Sequence, residues 1–365
     1  MVRASLIFLG LWSSLAIGMT RQGQFTFSHS QQSGKIQFSV SYSDGRGHSN
    51  NSSEWLQSDF GNLDFTRLDK HNINFTLRRE AGSFAFDGFL KGDEGAGLFD
   101  FTSNPQYSRD MAALGFTDFS DDKSFGAALH NVTLGFAKQM KEQGLSRLDA
   151  DKLIAFRIFS VTPEFITALR SQSLPARDAD KIVAFRIHGV TPEYVRELKK
   201  SGISSATEEQ LIAFRIHGVT PEFVNGLHAA GLDLHDPEKL VAFRIHGVSP
   251  EYIRELRSKG LQTSDPEKLV AFRIHGVSPQ FVAELGAAGL NVQDSEKLIA
   301  FRIHGVSPDF VRDIEKLGFP HPASDDLIAL RIHGVTPQYI QGLRSHGVHD
   351  LTLDQIVALR IQGIN

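Results

Sequence analysis

The residues of this chain most suited to chemistry are concentrated in one tetrapeptide, Arg-Ile-His-Gly. FRIHG occurs five times and LRIHG once. Histidine is the side chain whose proton moves near neutral pH and the commonest metal ligand. Arginine offers a rigid fork of donors to carboxylate or phosphate. Both fall in phase on a 29-residue period: His130, His188, His217, His246, His275, His304 and His333, and Arg157, Arg186, Arg215, Arg244, Arg273, Arg302, Arg331 and Arg360.

A ladder of metal sites fails on distance. Packed helices lie about 8–10 Å apart, whereas zinc ligands all reach one ion at about 2.1 Å. The expectation is structural: each imidazole sits in the last turn of a short helix, where it donates to free carbonyls and meets the negative helix end. The joints are therefore His188–Gly189, His217–Gly218, His246–Gly247, His275–Gly276, His304–Gly305 and His333–Gly334. A stripe of arginines could hold a polyanion, but Glu193, Glu222 and Glu251 recur in the following segment, with Glu197, Glu255 and Glu284 one turn on. That spacing predicts an ion-pair ladder through Arg186, Arg215, Arg244, Arg273, Arg302 and Arg331.

Nothing else suggests catalysis. G-x-S-x-G, a P-loop, C-x-x-C and an EF-hand loop are all missing from the sequence. Asp149/Asp151 and Asp178/Asp180 open repeats, and GDEGAG at 92–97 lacks the strand-then-helix context of a nucleotide loop. The expectation is a protein that is not an enzyme, with no catalytic residue, cofactor site or metal site.

The elements that place the joints are read from the period. Repeats open at Ser120, Asp149, Asp178, Thr207, Asp236, Asp265, Asp294, Ala323 and Thr352, and a half-repeat begins near Asn104. In the repeat 236–264, Asp236 is an N-cap and Pro237 the first helical residue. A short helix follows, apolar nearly all round, and Gly247 stops it. Where glycine is missing, Asn131 or Ser160 stands in. Ser249-Pro250-Glu251 opens a second helix with Tyr252, Ile253 and Leu256 on one face, and Gly260 ends it. One such hairpin cannot bury its apolar face, so the repeats stack into a solenoid. A competing reading makes LVAFRI a strand, giving a strand-helix, leucine-rich-repeat-like solenoid.

Ahead of the repeats the pattern changes to period 2. Phe25/Phe27, Ile36/Phe38, Ile73/Phe75/Leu77, Phe84/Phe86 and Phe99/Phe101 alternate as half-buried strands do. The expected fold class is α+β: an antiparallel β-domain at 23–103, with a mobile loop at 44–54, then tandem helical repeats at 104–365. Residues 1–18 read as a secretory signal, with Arg3, an apolar run from Leu6 to Ile17, and small Ala16 and Gly18 before the cut. That predicts a secreted or periplasmic protein with no stable membrane insertion after processing.

The 365 residues carry a net charge of −4 and no cysteine. The charge gives no footprint for nucleic acid, and without cysteine the fold is held by burial alone.

The block K-L-x-x-F-R-x-x-G-V-T-P-E-F resembles SHOCT-type helical hairpins of bacterial proteins. FTLRREAGSFAFDGFLKGDEGAGLFDF, then NPQYSRDMAALGF, then LIAFRIHGVTPEYVREL is similar to the extracytoplasmic region attached to bacterial beta-lactam-sensor-type metallopeptidases. The chain has no H-E-x-x-H, so the resemblance implies no protease activity and no zinc ligand here. It implies a sensing or interaction role outside the cytoplasm. Three functions follow: an exported solenoid that binds a protein partner through variable positions such as 199–201, 228–230, 257–259 and 344–346; a structural envelope component; and an extracytoplasmic ligand or pH sensor.

Overall fold

The computed structural model describes residues 20–43 and 48–364. The signal segment expected at 1–18 lies outside the described residues.

Alternating apolar residues give six strands: β1 (Thr20–His29), β2 (Lys35–Ser43), β3 (His48–Leu56), β4 (His71–Arg79), β5 (Gly82–Lys91) and β6 (Glu94–Ser103). They form one antiparallel sheet in the order β3-β2-β1-β6-β5-β4. The period-2 phenylalanines line a common core: Phe25, Phe27, Phe38, Phe84, Phe86, Phe99 and Phe101 are all buried. Their rings meet edge-on or stacked, as between Phe25 and Phe86 at 5.1 Å and Phe75 and Phe86 at 4.6 Å.

The loop expected at 44–54 is corrected from His48 onward. His48–Leu56 is the edge strand β3, paired with β2 from Ser43↔His48 to Lys35↔Leu56. Its Ser- and Asn-rich sequence has weak strand preference of its own. The pairing is set by β2, and cross-strand bonds such as Gln37 Nε2 to Ser52 Oγ at 2.6 Å support it.

From Pro105 to Ile361 the described residues form eighteen helices, each of 9 or 10 residues. The segment that competes for a strand reading is helical in every repeat, so the strand-helix alternative is excluded. Ser120, Asp149, Thr207, Asp236, Asp265, Asp294 and Thr352 each cap through a side-chain oxygen. Ala323, which has no such oxygen, caps nothing. Asn131 and Ser160 take the left-handed φ of the glycine they replace, 53° and 54°.

The chain divides into two compact units, residues 1–187 and 188–365. The change from sheet to helix falls at 103/104, but the first unit also takes in the first repeats. The helix Asp121–Leu129 lays Phe125 against Phe84, Phe99 and Phe101, with centroids at 5.5, 6.0 and 5.1 Å. In the second unit, first helices pack on neighbouring first helices and second helices on second helices. Leu240, Phe243, Val248, Tyr252, Ile253, Leu256 and Leu261 of one repeat are buried between the two layers. No described helix is long and apolar enough to cross a membrane.

Candidate functional site: the repeat joints and the face they expose

The four residues of each Arg-Ile-His-Gly do separate things, because successive residues of a helix point about 100° apart.

The arginine reaches back to the preceding repeat. In the second unit, Nε of Arg215, Arg244, Arg273, Arg302 and Arg331 donates to the backbone carbonyls of His188, His217, His246, His275 and His304, at 3.1 to 3.3 Å. In the first unit Arg186 does the same to Phe159 at 2.9 Å and adds Ser160 at 2.8 Å. Each guanidinium also lies over an aromatic ring of the preceding repeat. Arg215 is 4.8 Å from the Tyr194 centroid, Arg244 4.9 Å from Phe223, and Arg273 4.8 Å from Tyr252. Where that ring is tyrosine, its hydroxyl donates forward to the next repeat: Tyr194 to the Val219 carbonyl at 2.6 Å and Tyr252 to that of Val277 at 2.5 Å. Burial pushes the Tyr252 hydroxyl up to about 12, so it remains a donor at physiological pH.

The expected arginine–glutamate ladder is therefore corrected. None of Arg186, Arg215, Arg244, Arg273, Arg302 and Arg331 is bridged to a carboxylate among the described residues; their acceptors are carbonyls. A ladder of ion pairs exists one helical turn and a half earlier, and it runs through lysine. Lys239 meets Glu267 at 3.2 Å, Lys268 meets Glu296 at 3.6 Å, and Lys297 meets Asp325. In the first unit Lys123 meets Asp151 at 3.0 Å and Lys152 meets Asp180 at 2.7 Å.

The histidine supplies its main chain, not its ring. The carbonyls of His188 to His304 accept the arginines, while the six rings make no hydrogen bond among the described residues. The expected donation by imidazole to free carbonyls is thus replaced by an arginine from the next repeat. The glycine then turns the chain: Gly189, Gly218, Gly247, Gly276, Gly305 and Gly334 all have φ between 67° and 73°. A Cβ at Gly247 would also lie 3.0 Å from Arg273 Nη2, so the position must be bare for two reasons.

The isoleucine points outward. Ile216, Ile245, Ile274, Ile303, Ile332 and Ile361 are 54, 57, 57, 56, 54 and 61% exposed. The first unit continues the pattern with Ile158 and Ile187 at 47 and 52%. Single exposed apolar residues are ordinary on protein surfaces. Here the same one recurs in six successive repeats of the second unit, on a row of helices about 8–10 Å apart. Half-buried Val241 and Ala242 and their equivalents fill the row beside it. At the C-terminal edge of this face stand the arginines, each with its Nη nitrogens free of further hydrogen bonds in Arg215, Arg244, Arg273, Arg302 and Arg331.

Sequence reasoning missed this ladder, though a helical wheel contains it. Leu240 and Phe243 face the core, and Ile245 lies about 170° from their mean direction.

A separate cleft of about 590 Å³ lies within the first unit, lined by Lys35, Asn51, Glu54, Trp55, Arg79 and His130 among others. Arg79 Nε is sealed from solvent there without a hydrogen-bond partner. His130 Nε2 is 3.1 Å from Asn51 Nδ2. Burial, and then the charge of Arg157, lowers its pKa to about 4.

Compared with known families and with curated proteins, the chain matches no family model and no individual sequence.

Proposed function

We propose that this chain is an exported, non-enzymatic binding protein whose repeats present the isoleucine ladder to a protein partner. The single observation that carries this is the recurrence of an exposed isoleucine in six consecutive repeats of the second unit, edged in five of them (Arg215, Arg244, Arg273, Arg302 and Arg331) by an arginine whose acceptor is a carbonyl and not a carboxylate. The partner this face fits carries an elongated apolar strip bordered by carboxylates. Burying about one isoleucine per repeat gives affinity that grows with length, and the arginine row gives orientation. Export rests on the sequence pattern at residues 1–18 and on the resemblance to extracytoplasmic repeat regions.

Cross-linked affinity capture in the native host tests the reading. The full chain is compared with a variant carrying Ile245→Ser, Ile274→Ser and Ile303→Ser, and with one changed at Arg257 to Lys259. The expected result is a distinct partner that the isoleucine variant loses and the other variant keeps. A partner held equally by the isoleucine variant overturns the reading; no enriched partner at all favours a structural envelope component.

A second reading has its own observation. The cleft around Arg79 supports an extracytoplasmic ligand sensor in the first unit, taking a small anion that supplies the missing acceptor to Arg79 Nε. Loss of small-anion binding on Arg79→Met, measured by calorimetry, separates it from the first.

A further inference from the structure

The repeats act as controls for one another, and one of them departs from its sisters at three positions together. In the repeat 207–235, the sequence HAAGLDLH places His228, Asp233 and His235 where the next repeat has Arg257, Gln262 and Ser264. The repeat after that has Gly286, Asn291 and Gln293.

The three side chains converge. His228 Nε2 is 3.1 Å and His235 Nε2 2.8 Å from the same Asp233 oxygen, and the ligating atoms all lie within 4.8 Å of one another. The two imidazole rings are 5.2 Å apart at 62°. Two ligands on one zinc ion, with bonds near 2.0–2.1 Å at the tetrahedral angle, are separated by about 3.3 Å. The two edges to Asp233 need only a few tenths of an ångström of adjustment, and the edge between the imidazoles, within 4.8 Å, closes by rotation of the rings. His228 Nε2 is, moreover, sealed from solvent with no hydrogen-bond partner, although the carboxylate oxygen is within reach. A sealed ring nitrogen that faces a carboxylate oxygen outside hydrogen-bond geometry offers, together with that oxygen, two ligand atoms to a cation.

The surroundings hold this geometry. His228 lies in the last turn of the helix Pro221–Ala229, and His235 directly precedes Asp236, whose carboxylate is committed to capping Glu238 and Lys239. Arg257 of the next repeat donates to the carbonyls of Ala230 and Gly231 and clamps the turn between the ligands. From the preceding repeat, Gly202 makes room: a Cβ there would lie 2.6 Å from His235 Cε1. By contrast, the carboxylate cluster Asp118–Asp149–Asp151 already has a cation, the Lys123 ammonium at 2.7 Å from Asp118 and 3.0 Å from Asp151.

We propose that His228, Asp233 and His235 bind one divalent transition-metal ion of the zinc class, with a fourth position open to water. Two imidazoles and one carboxylate suit zinc and its borderline neighbours, not calcium or magnesium. The ion closes the turn that ends one repeat, directly before the Asp236 cap of the next, and it stands independently of the isoleucine ladder.

The test is titration of chelator-stripped full-length protein with Zn²⁺ by calorimetry, alongside Co²⁺ titration followed by visible absorption. The expected result is one saturable Zn²⁺ per chain and an intense tetrahedral Co²⁺ band. His228→Gln, Asp233→Asn and His235→Gln should each weaken binding by more than the 10–100-fold that losing a mere orienting partner costs. His304→Gln should leave it unchanged. Circular dichroism of the metal-free variants confirms that they fold. Absence of a saturable site in the wild type, or equal binding by all four folded variants, overturns the proposal.

Discussion

The sheet of residues 20–103 and the repeats of residues 188–365 bury similar side chains by opposite means. In the sheet, β1 pairs with β6 across nearly the whole segment, and phenylalanines distant in sequence share one ring cluster. In the repeats, the linking bonds that recur from joint to joint join residues 25 to 28 apart: Arg273 to His246, Tyr252 to Val277, Lys239 to Glu267. The sheet is one cooperative object, whereas the repeats are a chain of nearly identical local bargains. A function that needs a surface of adjustable length suits the second arrangement, and one that needs an enclosed cleft suits the first.

The largest effect that would sharpen this contrast lies in the sheet. Phe86→Ala removes a ring that touches Phe25, Phe38, Phe75, Phe84 and Phe99, and should cost about 3–5 kcal/mol. Urea unfolding followed by Trp55 emission should show the first unit melting earlier as a whole. A change confined to β5 would break the comparison.

Next comes acid. His130 is held neutral in the fold, with a pKa lowered from 6.5 to about 4. Between those values the unfolded chain binds the extra proton, so stability is complete above pH 6.5 and falls as the pH drops toward 4. The loss is on the order of 3 kcal/mol. Unfolding of the first unit across that range should lose this slope in His130→Gln, and a slope that survives would assign it elsewhere.

A smaller effect is expected at a joint. Arg273→Met removes a charged hydrogen bond to a carbonyl and the contact over Tyr252, worth about 1.5–3 kcal/mol together. Amide exchange should accelerate in repeats 236–264 and 265–293 and stay unchanged at residues 352–364. Spread of the loss through the whole unit would mean that the repeats are not nearest-neighbour objects. Lys268→Ala, which breaks an exposed pair with Glu296, should cost under about 1 kcal/mol, and nothing at high salt. Smallest of all, Ile274→Ser should leave thermal stability within about 0.5 kcal/mol. A larger destabilisation would make this isoleucine part of the core and remove the basis of the interaction face.

Much of the fold was legible because it is local. Asp236 caps its own helix, Gly247 turns its own chain, and Phe25 and Phe27 alternate within one strand. Less of the candidate site could be read. Arginine and glutamate at matching periods suggest a pair, but the carbonyls that a helix leaves free at its end are as good a target for a guanidinium and lie nearer. The serine- and asparagine-rich β3 carries no strand signal, since its partner strand dictates its conformation.

What the sequence alone determined, then, is the length of each repeat, where its helices start and stop, and which residues alternate into the sheet. These follow from each segment's own backbone geometry and capping chemistry. Only the tertiary structure decided what meets across a joint: that arginine takes the neighbour's carbonyl, that lysine takes its carboxylate, that isoleucine is left facing water, and that His228, Asp233 and His235 converge. Those outcomes depend on the offset with which one repeat is laid on the next, and that offset is set by the packing of side chains between the layers.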